Sequence, residues 1–258
     1  AAREILATLS NASQWGLLAW NDVRLRYRRT TLGPLWNTMG LAASLMSVGV
    51  VYGVLFGNNL STYLPYFATG LIAWSLVGTI LVDGCGAYTG AAGIIKAVPV
   101  SPVLHVCRQM TRQYIIAAHN FIILVVLWLV FPWPITWASL LIIPGLVLDG
   151  IVLFGAVLSL SMVAARFRDV QLILSTCLQL IFLITPVIWQ RHNLKGHALI
   201  YVADFNPFYH LVDVIRRPML GEAPALMSWI FCLVLAVITM SIGVYNYARY
   251  RRRIAFWV

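Results

Sequence analysis

Residues 24–56 read RLRYRRTTLGPLWNTMGLAASLMSVGVVYGVLF, a cluster of four arginines followed by an apolar run from Leu32 to Phe56. A run of this length matches the roughly 20 residues that carry a helix across about 30 Å of hydrocarbon at ~1.5 Å per residue. Guanidinium groups do not follow such a run into lipid, so the stretch reads as a membrane entry with its basic side held back. The pattern of a long apolar segment recurs at Tyr66–Val82, Gln113–Val130, Ile135–Ala164, Val170–Ile188 and Leu226–Tyr247. Composition agrees: the 258 residues are 61% apolar and 10% charged, where a soluble domain is about 45–50% apolar and about 25% charged. A water-soluble globule is excluded. The class predicted is an all-α integral membrane protein, with six transmembrane helices in 32–258 and an interfacial segment in 1–31.

An even number of spans puts both termini on one side, and the basic residues name that side. Arg3, Arg24, Arg26, Arg28 and Arg29 precede the first span, Lys96, Arg108 and Arg112 follow the second, Arg166 and Arg168 follow the fourth, and Arg249 and Arg251 to Arg253 follow the sixth. The opposite side holds only Arg191, Lys195, Arg216 and Arg217. Both termini are therefore predicted cytoplasmic. The net charge of +10 is parcelled out between spans instead of gathered on one folded face, which argues against a nucleic-acid partner. The first apolar run is too long for a signal-peptide core, so no cleavable signal is expected.

Three segments outside the spans stand out. Asn11–Thr31 mixes Trp15, Leu17, Trp20 and Val23 with the four arginines, the composition of an amphipathic helix in the headgroup layer. Its arginines either meet anionic lipid or serve only as a topology anchor. The connection 83–112 is polar and broken by Pro99 and Pro102, too polar to span; it is a loop or carries a short helix. The external connection 189–224 is long for a structureless loop. Its recurring apolar residues predict one or two short helices dipping into the outer leaflet as a re-entrant gate hairpin, turned at Asn206 and Pro207.

No phosphate-binding loop, zinc-protease or hydrolase motif occurs. The four cysteines are scattered without metal-ligand spacing, so neither a metal site nor a catalytic residue is assigned. Asp149 lies at membrane depth, where an ionisable group is costly and is usually paired or functional. A tight hairpin through residues 131–134 places His119 and Asn120 at similar depth, and the expected arrangement is a polar clamp of Asp149 with one of them. An ion-coupled secondary transporter using Asp149 is the alternative, and a membrane-embedded lipid-modifying enzyme a third reading. Gly49, Gly53 and Gly57, spaced by four, predict a close helix approach on the first span. Tyr52, Phe56, Tyr66, Phe67, Trp74 and Phe182 are core or lipid-facing aromatics unless they line a passage, where flat rings can stack on sugars.

Taken in order, several motifs resemble the membrane subunits of ATP-binding-cassette exporters of lipid-linked polysaccharide, the family that handles O-antigen, capsule, teichoic acid and galactan. They are WNDVRLRYRRTTLGPLW at 20–36, ARFRDV at 165–170, Thr185-Pro186-Val187, Asn206-Pro207, Arg216 through Gly221, and YRRRIAFWV at 250–258. The resemblance covers essentially the whole chain. It implies a homodimer joined to two copies of a separate ATPase that carries the ATP and magnesium, in a bacterial plasma (inner) membrane. On that footing Arg24, Arg26, Arg28 and Arg29 would recruit a polyprenyl-diphosphate headgroup. Lys96, Pro99 and Ser101, with Arg166, Arg168 and Asp169, would dock the ATPases. The first, second and fifth spans of both subunits would surround the passage. Asn206, Pro207, Arg216 and Arg217 would belong to the external gate.

Overall fold

Prolines, glycines and a few side-chain caps cut the apolar sequence into helices. In the computed structural model, which describes residues 2–191 and 199–258, those residues form helices and no strand. Two short helices, α1 (Ala2–Ser10) and α2 (Ala12–Arg26), precede α3 (Leu35–Leu55) and α4 (Leu60–Cys85). A short α5 (Ala92–Ala97) leads into α6 (Val103–Val130), followed by α7 (Ile142–Arg166) and α8 (Val170–Ile184). After α9 (Leu199–Asp204) and α10 (Pro207–Met219) come α11 (Leu226–Tyr250) and α12 (Ile254–Trp257).

Five helices are long and apolar enough to cross a membrane: α3, α4, α6, α7 with the turn before it, and α11 continued through α12. The expected span Val170–Ile188 is shorter than its apolar run. α8 has 15 residues, about 22 Å of rise, and stops at Ile184. Pro186 lacks an N–H and biases the residue before it out of helical geometry, and Thr185 is extended at φ −79° and ψ 132°. Conversely α6 begins at Val103, ten residues ahead of the apolar run, so the connection 83–112 contains the end of α4, α5 and the first turns of α6. α1 was not anticipated, since nine mixed residues carry little apolar signal.

The longest seam joins α7 and α11, and glycine makes it possible. A Cβ on Gly155 would lie 2.5 Å from the Met240 nitrogen, and one on Gly243 would lie 2.5 Å from the Gly155 carbonyl oxygen. Gly49 and Gly53 behave as their spacing predicts: Cβ atoms there would press on Leu64 and Phe67, and on Leu60 and Tyr63, of α4. Gly57 has a different task, turning the chain at φ +64° between the two helices. Asn59 then caps α4 by accepting from the Ser61 amide at 3.0 Å.

Both termini meet at one end of the bundle. The Glu4 carboxylate accepts from the Tyr247 hydroxyl at 2.8 Å and from Arg251. Burial raises its proton affinity, but the hydrogen bonds from Tyr247 and Arg251 outweigh that and hold it below the usual carboxylate range. α2 is fastened along α6 by a two-pronged ion pair in which Arg108 Nε donates to Asp22 at 2.6 Å and its Nη2 to the other oxygen. Leu17, Trp20 and Leu25 on α2 remain exposed, an apolar face suited to the headgroup boundary. At the far end Trp133 donates to the Met219 carbonyl at 2.9 Å, tying the α6–α7 connection to α10.

Candidate functional site

Interrupting α8 within apolar surroundings leaves carbonyls without helical partners, and at membrane depth these must be satisfied from within the protein. Side chains supply the donors. The Tyr63 hydroxyl donates to the Ile188 carbonyl at 2.5 Å, and the Tyr66 hydroxyl reaches those of Pro186 at 3.0 Å and Trp189 at 3.2 Å. Arg216 Nη1 donates to the Pro186 carbonyl at 2.7 Å while its guanidinium lies 4.4 Å above the centre of the Tyr66 ring. Asn206 Nδ2 donates to the Thr185 hydroxyl at 2.8 Å, and Asn206 Oδ1 accepts from the Phe208 amide, capping α10 with Pro207 in its first turn.

Of the four residues expected at an external gate, Asn206 and Arg216 thus bond to one break in one helix, and Pro207 opens α10 beside Asn206. Arg217 turns away to Asp213 at 2.9 Å, whose other oxygen accepts from Ser228 at the start of α11. α10 is lodged among α4, α7 and α11, with Arg216 only 3% exposed. Asp204 is committed to a fork with Arg191 at 2.6 Å, and that hydrogen bonding holds its carboxyl below the usual range. Tyr63 was missed by sequence reading; only its proximity to a broken helix gives it a task.

The aromatic residues separate into distinct settings. Trp74 sits with its ring 5.3 Å from Phe182 and 5.7 Å from Phe208, and Trp74 and Phe182 line a groove of about 390 Å³ between α4 and α8. Tyr52 and Phe56 pair at 5.6 Å on the exposed surface of α3. Phe67 does not line a passage: it is 1% exposed and packs beneath Gly49 of α3, because the small-residue face of α3 draws this ring inward. The ring face of Tyr66 is likewise taken, by Arg216.

A second groove, about 640 Å³, opens between the end of α2, α3, α4 and α6. Arg26 and Tyr27 stand at its mouth, and Asn37, Ser44, Ser75 and Gln113 continue its polar lining into helices that are otherwise apolar. It shares Ser75, Thr79 and Asp83 with the Trp74–Phe182 groove. Beside it a smaller cavity of about 270 Å³ is lined by Arg26, Asp83, Arg108 and Arg112. Arg24, Arg26, Arg28 and Arg29 are all exposed; α2 ends at Arg26, so Arg28 and Arg29 lie in the turn beyond.

The segments expected to receive an ATPase are at the end where the termini meet. Lys96 and Pro99 are exposed and Ser101 is half-buried at the α5–α6 connection, while Arg166, Arg168 and Asp169 are exposed at the α7–α8 turn. α12 touches both α5 and α7, and Trp257 lies 5.8 Å from the Arg166 guanidinium. The two segments therefore flank one C-terminal helix.

The expected clamp at Asp149 is not formed. Asn120 faces α3, accepting from the Thr38 hydroxyl at 3.0 Å, and His119 Nδ1 sits 2.7 Å from the carbonyl of Ile115 in its own helix. Asp149 is 0% exposed and neither carboxylate oxygen has a partner among the described residues. At 100° per residue Asn120 is turned toward α3, and the α6 side chain that reaches this stretch of α7 is Tyr114, whose hydroxyl donates to the Leu146 carbonyl at 3.1 Å. Among the described residues no grouping of His, Cys, Asp and Glu is placed to hold a metal ion.

Residues 13–220 match the family profile described as "ABC-2 type transporter". The chain is 21% identical over 238 residues to the O-antigen export system permease protein RfbA of Klebsiella pneumoniae, covering 89% of this chain and 90% of that protein. It is 24% identical over 222 residues to the RfbA permease of Myxococcus xanthus, covering 82% of this chain and 83% of the relative.

Proposed function

The chain belongs to the ABC-2 type transporter membrane family, a multi-pass transport subunit and not an enzyme, and from that premise we propose that it is the permease half of an ATP-driven exporter of polyprenyl-diphosphate-linked polysaccharide. Two copies would assemble with two copies of a separate ATPase in the bacterial inner membrane, both termini facing the cytoplasm. The likeness to two O-antigen export permeases over 82–89% of the chain carries the reading. The polar groove opening at Arg26 supports it, since a hydrated sugar chain needs polar partners where lipid offers none.

In this reading the exposed arginines at and after the end of α2 attract the diphosphate through charge-assisted hydrogen bonds. ATP and magnesium act on the partner. Closure of the ATPases would be transmitted through the α5–α6 connection and the α7–α8 turn, which flank α12, and would shift the population between two arrangements of the spans. An ion-coupled carrier built on Asp149 fits less well, because the carboxyl is fully buried and neither of its oxygens has a partner among the described residues.

The test is co-purification with the ATPase encoded beside it, followed by ATP hydrolysis in liposomes with and without lipid-linked glycan. A stable complex of two chains each, with glycan-sensitive hydrolysis, is the expected result. A chain that never associates with an ATPase, or that transports without one, overturns the proposal.

A further inference from the structure

The 270 Å³ cavity beside the groove has an unusual balance of donors. Arg26, Arg108 and Arg112 face it against two carboxylates, Asp22 and Asp83. Arg108 is spent on Asp22, and Arg112 Nη2 reaches Asp83 only at 3.4 Å, while Gln113 takes the same Asp83 oxygen at 2.6 Å. Arg26 has no ion-pair partner among the described residues. Deeper in the wall, Arg112 Nε, Gln109 Nε2 and both ring nitrogens of His105 are buried without any hydrogen-bond partner. His105 is 2% exposed and Gln109 7%.

A buried polar group left unpaired is costly, so three such side chains on one cavity wall point to an occupant. Small residues, Gly86, Ala87, Gly90 and Ala91, line one side; Gly90 is exposed at the rim, where a Cβ would meet nothing within 4 Å. The space far exceeds the roughly 10–15 Å³ that a single water needs. Water alone accepts and donates indiscriminately, whereas this wall presents fixed donors under a net positive charge. The matching chemistry is an anion with several acceptor oxygens.

The geometry points to a phosphate-class anion site in this cavity, formed by Arg26, Arg112, Gln109 and His105 and sized for a diphosphate. It lies next to the polar groove and shares Arg26 and Asp83 with it. A lipid-linked diphosphate seated here would set its first sugars against Asn37, Ser44 and Ser75. That last step rests on the exporter reading; the anion site itself does not.

The experiment is calorimetric titration of inorganic diphosphate into the full chain in phosphatidylcholine nanodiscs. Wild type is expected to bind saturably. Gln109→Leu removes one donor, and Gly90→Leu narrows the cavity at its rim without touching a charge; each is expected to weaken binding about tenfold or more. Arg249→Gln, an exposed cation outside the cavity, is expected to leave the affinity unchanged. Repeating the titration with polyprenyl diphosphate in the nanodisc separates the sources: lost binding identifies the lipid headgroup as occupant, and retained binding identifies a soluble anion. Absence of saturable binding overturns the proposal, as does equal affinity in wild type, Gln109→Leu and Gly90→Leu, or equal weakening by Arg249→Gln. Wild-type glycan export measured in cells tests the exporter reading separately, so either can fail alone.

Discussion

Adding one methyl group at Gly155 is the sharpest perturbation of the fold. Its Cβ would stand 2.5 Å from the Met240 nitrogen and the Thr239 carbonyl carbon, both backbone atoms that no side-chain rotation can clear. Ordinary contact is 3.4–4 Å, so α7 and α11 must separate by about 1 Å, a gap that forfeits a quarter to a half of the dispersion energy of each facing pair. Overpacking of this kind costs about 1–3 kcal/mol. A Cβ on Gly243 would lie 2.5 Å from the Gly155 carbonyl oxygen, so Gly243→Ala opens the same seam from the other side. Once one substitution has parted the helices, the second finds room, and the double variant is expected to cost less than the sum by about 0.5 kcal/mol or more. Gly40→Ala is the control: nothing lies within 4 Å of its Cβ, and replacing a helical glycine there should stabilise by about 0.5–1 kcal/mol. Equilibrium unfolding in mixed detergent micelles measures all four. If Gly155→Ala and Gly243→Ala were neutral, or their costs strictly additive, the backbone-contact argument would be refuted.

Replacing Arg24, Arg26, Arg28 and Arg29 together with Gln is expected to reduce glycan export severalfold while the complex with the ATPase still assembles; unchanged export removes the headgroup role. Asp149→Asn, which keeps the shape and removes the carboxyl's capacity to ionise, is expected to leave export insensitive to a collapsed proton gradient, as in wild type; an export defect confined to this variant would revive ion coupling. The Glu4 carboxyl titrates lower folded than unfolded, so its stabilisation of the terminal contact is complete above the ordinary carboxylate pKa and is lost as pH falls through the folded value. Protease nicking of α1 should therefore rise on acidification in wild type and be high and pH-independent in Glu4→Gln. Tyr66→Phe leaves the Trp189 carbonyl without its donor while Pro186 keeps Arg216, an expected loss of about 1–3 kcal/mol in the same micelle unfolding assay.

Membrane helices were legible because lipid enforces a single strong rule on side-chain polarity over about 20 residues. The α3 glycines were legible too, since four-residue spacing marks one helical face whatever it packs against. Rotation was not. Asn120 faces α3 and leaves Asp149 without a partner among the described residues, and an apolar helix with lipid on one side and protein on the other shows little periodic contrast to orient it. Whether Phe67 belongs to the core or to a passage is undecided in the sequence for the same reason. The anion cavity was invisible because Arg26 and Arg112 are far apart in sequence and meet only when α2 lies along α6. α8 exposed a different limit: Val170–Ile188 is apolar throughout, and only the backbone chemistry of Pro186 distinguishes a span from a span cut short.

That cut decides where the bundle can rearrange cheaply. A continuous helix satisfies its carbonyls along its own axis, so changing its path in lipid breaks bonds that nothing replaces. The stretch after Ile184 is satisfied instead by Tyr63 and Tyr66 from α4 and by Arg216 and Asn206 from the α10 hairpin. These bonds are made by side chains with rotamer freedom, on two elements that can move relative to α8. Swapping a tyrosine or guanidinium donor between neighbouring carbonyls costs the difference between two hydrogen bonds, whereas melting a helical turn costs several whole ones. The Pro186 carbonyl already has two donors, so losing one leaves it paired. A transport cycle needs two arrangements of similar free energy, and within the described residues this hub, shared by α4, α8 and α10, has the chemistry for both. The α7–α11 seam, locked by glycine against backbone, would be the fixed frame against which it moves.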